Sequence, residues 1–352
     1  MTIRGSYAAS LASISKLQER YNELTRQQAS GTRATTYAGL GGDATRAITL
    51  GNKLAASQQA ASTTTRAAAR VDYSLTVMDR LSSIASDMAD SAASLNGTTD
   101  SLDSVRSNAQ AALKEVLGLL GETYDGEYIF GGSDLSNSPV VAADDIESTG
   151  LYTQIGDLLG TLDADNAEDV FSSILSVASS NEDGVSPFSS YANAAAEGEV
   201  EDSRRSVSTG TGGSVEVGLY ANRNAGVGET GTGTGSWARD LIAGLTVLAN
   251  LTDEQASQDG YSTIVEKTVS LLRGANSGAN DEIAVLGTTQ NKLTDAASWQ
   301  EEVATQLEEQ LGDVTSVDLA TASVQLSQVN LQLQASYQAL AKLGEVSLVN
   351  YL

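Results

Sequence analysis

The chain has 352 residues, length for roughly two domains, and carries 45 acidic against 20 basic side chains, a formal net charge of −25, with no histidine and no cysteine. The missing imidazole and thiol exclude Ser-His-Asp and Cys-His catalysis, imidazole or thiolate metal sites, haem, iron-sulfur clusters and disulfides, which leaves carboxylate, Lys or Tyr chemistry; no convergent set of such residues stands out, so no catalytic, metal or cofactor site is expected. The acidity argues against a nucleic-acid surface, which clustered Lys and Arg would have to supply.

Aromatic residues make up only 5% of the chain, too few to fill a thick core, so thin helical layers are expected. No apolar run approaches the roughly 18 residues of a membrane span, which predicts no membrane insertion. Met1 to Ser6 lacks the apolar stretch of a secretory signal, so the protein is expected to be cytoplasmic or to leave the cell by another route.

From the N-terminus, Tyr7, Ile14 and Tyr21 alternate with Ser10, Leu17 and Leu24 at spacings of three and four, a heptad stripe that stops at Ser30-Gly31. A Gly-rich break over residues 37–42 precedes Asp43, an N-cap for the next helix. That helix carries Leu50, Leu54, Ala61, Ala68, Val71, Leu75, Met78, Leu81, Ile84, Met88 and Leu95, and about 50 residues at 1.5 Å each make it roughly 75 Å long. After a polar turn at residues 96–98, Leu102, Val105, Ala109, Ala112, Val116 and Leu119 mark another helix ending at Gly121. Glu127 to Phe130 then reads as a strand between Asp125-Gly126 and Gly131-Gly132, hence a hairpin arm.

Residues 121–240 hold 18 of the 33 glycines and both prolines, which sets them apart from the helical flanks. Within them, Leu151, Ile155, Leu158 and Leu159, and then Val170, Phe171, Ile174 and Leu175, predict short helices. Residues 206–208 and 215–220 predict a strand pair around Gly210-Thr211-Gly212-Gly213. Helix resumes near Trp237 with Leu241, Leu245, Leu248 and Leu251, and a looser stripe follows through Ile283, Leu286, Leu293, Leu307, Leu311 and Val314. The most regular stripe closes the chain: Leu319, Ala322, Leu326, Val329, Leu333, Ser336, Leu340 and Leu343. Such stripes serve either as the core of an ordinary bundle or as assembly seams. Their position at the two extreme ends, and the marginal stability of a solitary helix with one apolar edge, favour seams that need a partner.

Gly226 to Gly231 matches G-x-G-x-x-G, but it continues into further Gly-Thr repeats without strand alternation, so a dinucleotide site is not expected. Asp163, Asp165 and Asp169 echo a calcium loop, yet Glu168 stands where the turn glycine belongs, so they read as an acidic helix start. The pairs Asp144-Asp145 and Glu301-Glu302 read as solvated acids, and the Ser/Thr-rich middle as a candidate sugar acceptor by composition alone.

The terminal helices, the Ser30-Gly31 break, the segment Gly126-Glu127-Tyr128-Ile129-Phe130-Gly131-Gly132 and the close from Val317-Asp318-Leu319-Ala320 to Asn350-Tyr351-Leu352 together resemble the flagellin superfamily, over residues 1–135 and 236–352. The ending in Asn350-Tyr351-Leu352 is more similar to the hook-filament junction branch, also called hook-associated protein 3, than to the filament flagellins. The family's paired-acid motif after the Ser-Gly break is replaced here by Thr36-Tyr37-Ala38-Gly39-Leu40-Gly41, so no contact through those acids carries over.

The resemblance implies a mainly α fold: a long antiparallel helical bundle or coiled coil from both termini, a β-hairpin arm and a smaller mixed α/β insertion facing solvent. It implies a terminal assembly region at 1–35 and 315–352, a bundle domain at 36–138 and 236–314 with its hairpin near 124–132, and a variable outer domain at 139–235 that tolerates change. It further implies a non-enzymatic structural subunit, exported unfolded through the flagellar type III apparatus and working outside the cell after a transient cytoplasmic stage. Its partners would be further copies in a ring or filament, a neighbouring hook-associated protein, flagellin, and an export chaperone at the C-terminal helix. The assembly residues are then Tyr7, Ile14, Leu17, Tyr21, Leu24, Leu319, Leu326, Val329, Leu333, Leu340 and Leu343. The absence of cysteine and the two prolines suit a chain threaded unfolded, because X-Pro isomerisation is slow. A cytoplasmic helical scaffold is the alternative outside this class.

Overall fold

The computed structural model describes residues 3–95, 101–197, 204–210, 212–222 and 233–349; the side chains of 3–7, 196, 197 and 343–349 lie outside the description. In chain order the elements are α1 (Ile3–Ser30), α2 (Ala44–Ala93), α3 (Leu102–Leu120), the pair β1 (Thr123–Tyr124) and β2 (Glu127–Tyr128), α4 (Gly150–Leu159), α5 (Ala167–Ala178) and α6 (Ser190–Glu197). They continue with the pair β3 (Ser206–Ser208) and β4 (Ser214–Glu216), α7 (Trp237–Asn250), α8 (Asp253–Ala256), α9 (Tyr261–Thr315) and α10 (Leu319–Val349). The fold is mainly α, with long helices packed antiparallel and two small antiparallel sheets. The chain forms two compact units, residues 1–59 with 300–352, and residues 60–299.

In the unit of residues 60–299, α7 is the centre: every residue from Trp237 to Ala249 is buried. A helix buried on every side has to be surrounded, and α3, α4, α5 and α9 surround it. Gly244 sets the approach to α9, since a Cβ there would stand 2.7 Å from the buried Leu272 side chain. The buried Arg239 of α7 donates to the carbonyl oxygens of Ala178 (3.0 Å) and Ser180 (3.2 Å), satisfying the end of α5, and lies over the Phe188 ring. The apolar faces of α4 (Leu151, Ile155, Leu159) and α5 (Val170, Phe171, Ile174) join the same core as α3 and α7. Most of the buried apolar residues described between Val140 and Ala221 therefore share one hydrophobic core with the helical flanks, although the Gly-rich composition there suggests an outlying insertion.

The hairpin of β1 and β2 pairs Thr123 with Tyr128 and Tyr124 with Glu127. Its two-residue turn puts both Asp125 (φ 54°) and Gly126 (φ 77°) in the left-handed region, the geometry that matches strand twist. The strand ends at Tyr128, and Ile129 and Phe130, expected within it, turn into the core. Phe130 then accepts from the Ala221 amide at 2.9 Å, and Gly132 donates to Leu219 at 2.7 Å. Only glycine fits at 132, where φ is 63° and a Cβ would lie 2.1 Å from the Tyr220 ring. The second hairpin pairs Ser206 with Glu216, Val207 with Val215 and Ser208 with Ser214. Its second strand is shorter than the expected 215–220: the Val217 amide still donates to Arg205 O at 2.8 Å, but Leu219 and Tyr220 turn away into the core, where Tyr220 bridges to Gly131.

The Gly-rich tract at 226–231 and the turn at 96–98 lie outside the described residues. Asp163 is engaged locally, accepting from the amides of Asp165 (2.9 Å) and Asn166 (3.0 Å) just before α5. Among the described residues no group of three or more acidic side chains is placed to hold a metal ion, and no helix is long and apolar enough to cross a membrane.

Candidate assembly surface of the terminal helices

In the unit of residues 1–59 and 300–352, α1 and α10 pack antiparallel along the two stripes that the sequence displays. Ile14, Leu24, Val329 and Leu333 are buried between them, and Leu17, Tyr21, Leu326 and Leu340 pack at their edges. Leu24 is the best enclosed, at 1% exposed. Polar bonds flank the seam: Gln18 donates to the Tyr337 hydroxyl (2.6 Å), Arg20 to Gln325 (3.0 Å) and Gln28 to Ser323 (3.2 Å). Of the remaining sequence-predicted residues, Leu319 is half exposed and outside the seam, and the side chains of Tyr7 and Leu343 are not described.

The two breaks next to these helices lock together. Gly31, at φ 69°, ends α1 and accepts from the Val317 amide at 3.0 Å, while the Arg33 amide donates to Thr315 at 2.7 Å. The Arg33 guanidinium reaches Val314 O and the Asp43 carboxylate, each at 3.0 Å, so Asp43 serves an ion pair at the start of α2. Leu40, in the segment Thr36–Gly41, is buried with Ala47, Leu50 and Val314 in a small apolar cluster. Farther along, the buried Ser57 hydroxyl of α2 meets Gln300 of α9 at 2.8 Å.

Asp318 starts α10. Its carboxylate accepts from the Thr321 hydroxyl (2.7 Å) and from the amides of Thr321 (3.2 Å) and Ala320 (2.9 Å). These bonds, the Thr321 hydroxyl foremost, hold its carboxyl below the usual range.

The seam leaves the far side of α10 bare. Val324 is 68% and Leu331 67% exposed, and Ala320 and Ala335 lie on the same face at helical spacing. That face points away from Ala322, Val329 and Leu333, so α10 carries two apolar stripes on opposite sides. From Leu319 to Ala341 it contains no Asp, Glu, Lys or Arg, in a chain where 18% of residues are charged. Sequence periodicity picks out the stronger stripe and passes over the thinner one, although the uncharged run was a visible sign of it.

Residues 269–352, the later part of α9 and all of α10, match the family model of the bacterial flagellin C-terminal helical region. A solved structure from Vibrio parahaemolyticus, provisionally described as a flagellar hook-associated protein, shares the fold with a TM-score of 0.50 at 11% identity, covering 77% of this chain and 96% of that one. No curated protein matches the chain at a significant level.

Proposed function

We propose that the protein is a structural subunit of the bacterial flagellum, assembled through its terminal helices and placed at the junction between hook and filament. The carrying observation is the exposed, uncharged face of α10 around Val324 and Leu331: the heptad stripes satisfy each other within the chain, and a second apolar face remains for a neighbour. The match of residues 269–352 to the flagellin C-terminal region and the fold shared with a flagellar hook-associated protein support the flagellar setting. On this reading the chain is not an enzyme. It leaves the cell unfolded through the type III apparatus, escorted by a chaperone on its C-terminal helix, and contacts its own copies, a neighbouring hook-associated protein and flagellin. Electron microscopy of cells lacking the protein tests the reading: bare hooks, with flagellin released into the medium, are expected. Normal filaments on those cells would overturn it.

A further inference from the structure

Within the unit of residues 60–299 lies a cavity of about 250 Å3 that the assembly reading does not use. Arg66 and Arg70 of α2 enter it from one side, Asp125 and Glu127 of the first hairpin from another, and Arg205, just before β3, from a third. Val207 and Val217 supply apolar wall. The surrounding unit is strongly acidic, with 35 acidic and 12 basic side chains between residues 60 and 299, yet three guanidinium groups face this one space.

Three guanidinium groups stand against two carboxylates, Asp125 and Glu127, in this lining. The Arg70 side chain is only 8% exposed. It donates to Glu127 Oε2 at 2.9 Å and to Tyr128 O at 2.8 Å. Arg205 donates to the same Glu127 oxygen, so one carboxylate oxygen serves two guanidinium groups that carry five donors each. Burial, and after it the nearby Arg205 charge, lower the Arg70 pKa. Arg66, one turn before Arg70 on α2, is exposed and makes a long 3.4 Å bond to its own helix carbonyl at Ser62. The Glu127 clamp by itself explains how the hairpins are held to α2. It does not involve Arg66, which lines the same space and bonds back to its own helix at Ser62.

We propose that this cavity binds a small oxyanion, a carboxylate or phosphate group, which Arg66 and Arg205 meet directly with Arg70 behind them. The planar guanidinium fork matches both groups bidentately, and a cavity of about 250 Å3 has room for either. This site is independent of the flagellar assignment. Calorimetric titration of the full chain with sodium phosphate, and separately with sodium succinate, at constant ionic strength tests it and distinguishes the two sources. Saturable binding of at least one probe is expected, with a dissociation constant of about 1 mM or tighter. Arg66→Ala should weaken it about tenfold, the loss of one charge-assisted contact, while the ligand-free melting temperature stays the same. Arg205→Ala, a second variant, should weaken it at least as much. Failure of both probes to saturate by about 10 mM, ten times that constant, or unchanged affinity in both variants, would overturn the proposal.

Discussion

Leu331 and Leu333 stand two residues apart on α10 and face opposite ways, which makes their substitution by aspartate a controlled pair. Leu333 is 7% exposed and packs with Ile14, Leu24 and Val329 between the terminal helices. Removing such a side chain costs about 2 to 5 kcal/mol, and an unpaired carboxylate in its place adds to that. Even about 3 kcal/mol shifts the pairing of α1 with α10 more than a hundredfold. Leu331 is 67% exposed, so the same change there should alter monomer stability by no more than about 0.5 kcal/mol. Amide exchange on the monomer should therefore show α1 deprotected in Leu333→Asp and unchanged in Leu331→Asp. The core of residues 60–299, to which neither leucine belongs, should keep its protection in both. Sedimentation under assembly conditions should show association lost in Leu331→Asp despite its intact fold. If Leu331→Asp assembles like the wild type, the outward face of α10 is not the contact surface. If Leu333→Asp leaves α1 protected, the seam does not hold the terminal helices together.

Asp318 has a lowered pKa, so its cap is fully present above the ordinary carboxyl value of 3.8 and is lost as pH falls through the still lower folded-state value. Exchange at the Ala320 and Thr321 amides should rise over that acid range in the wild type, and should already be fast at neutral pH in Asp318→Ala. Replacing residues 139–235 by a short linker should abolish cooperative melting of the unit 60–299, because it strips α4 and α5 from the buried α7. A truncated chain that melts like the wild type would contradict the shared core.

Much of the helical layout is legible in the sequence because long helices advertise themselves through period and punctuation. The expected span of α2 agrees with Ala44–Ala93 to within two residues, and Gly31 and Gly121 fall at the ends of α1 and α3. The early part of α9 escaped, since Gly274, Asn276, Gly278 and Asn280 weaken the local signal over Tyr261–Asn280. Burial of Ile264, Val265, Leu271 and Leu272 outweighs those residues' poor propensity. The seam residues were legible as a stripe, but a period says which side of a helix is buried and not what buries it. The cavity around Arg70 was invisible for another reason: Arg66 and Arg70 sit far from Arg205 in sequence, and two short hairpins bring them together.

Charge bears on the contact face proposed for α10. Residues 1–59 carry seven basic and three acidic side chains, whereas residues 300–352 carry one basic and seven acidic, so the two halves of this unit attract one another. Every acid in the C-terminal half lies before Leu319 or after Ala341, which leaves the bare stripe neutral. Copies of a chain with a net charge of −25 repel each other at long range, and that repulsion is screened over about 8 Å at physiological ionic strength. An interface made by neutral, apolar surface gains nothing from charge at contact but must be reached against this field. Self-association should therefore strengthen as salt is raised from roughly 20 mM to roughly 200 mM, as the screening length shortens from about 20 Å to about 7 Å. Sedimentation at several salt concentrations reads this directly. Association that weakens with salt would mean that complementary ion pairs, and not the Val324–Leu331 face, carry the contact.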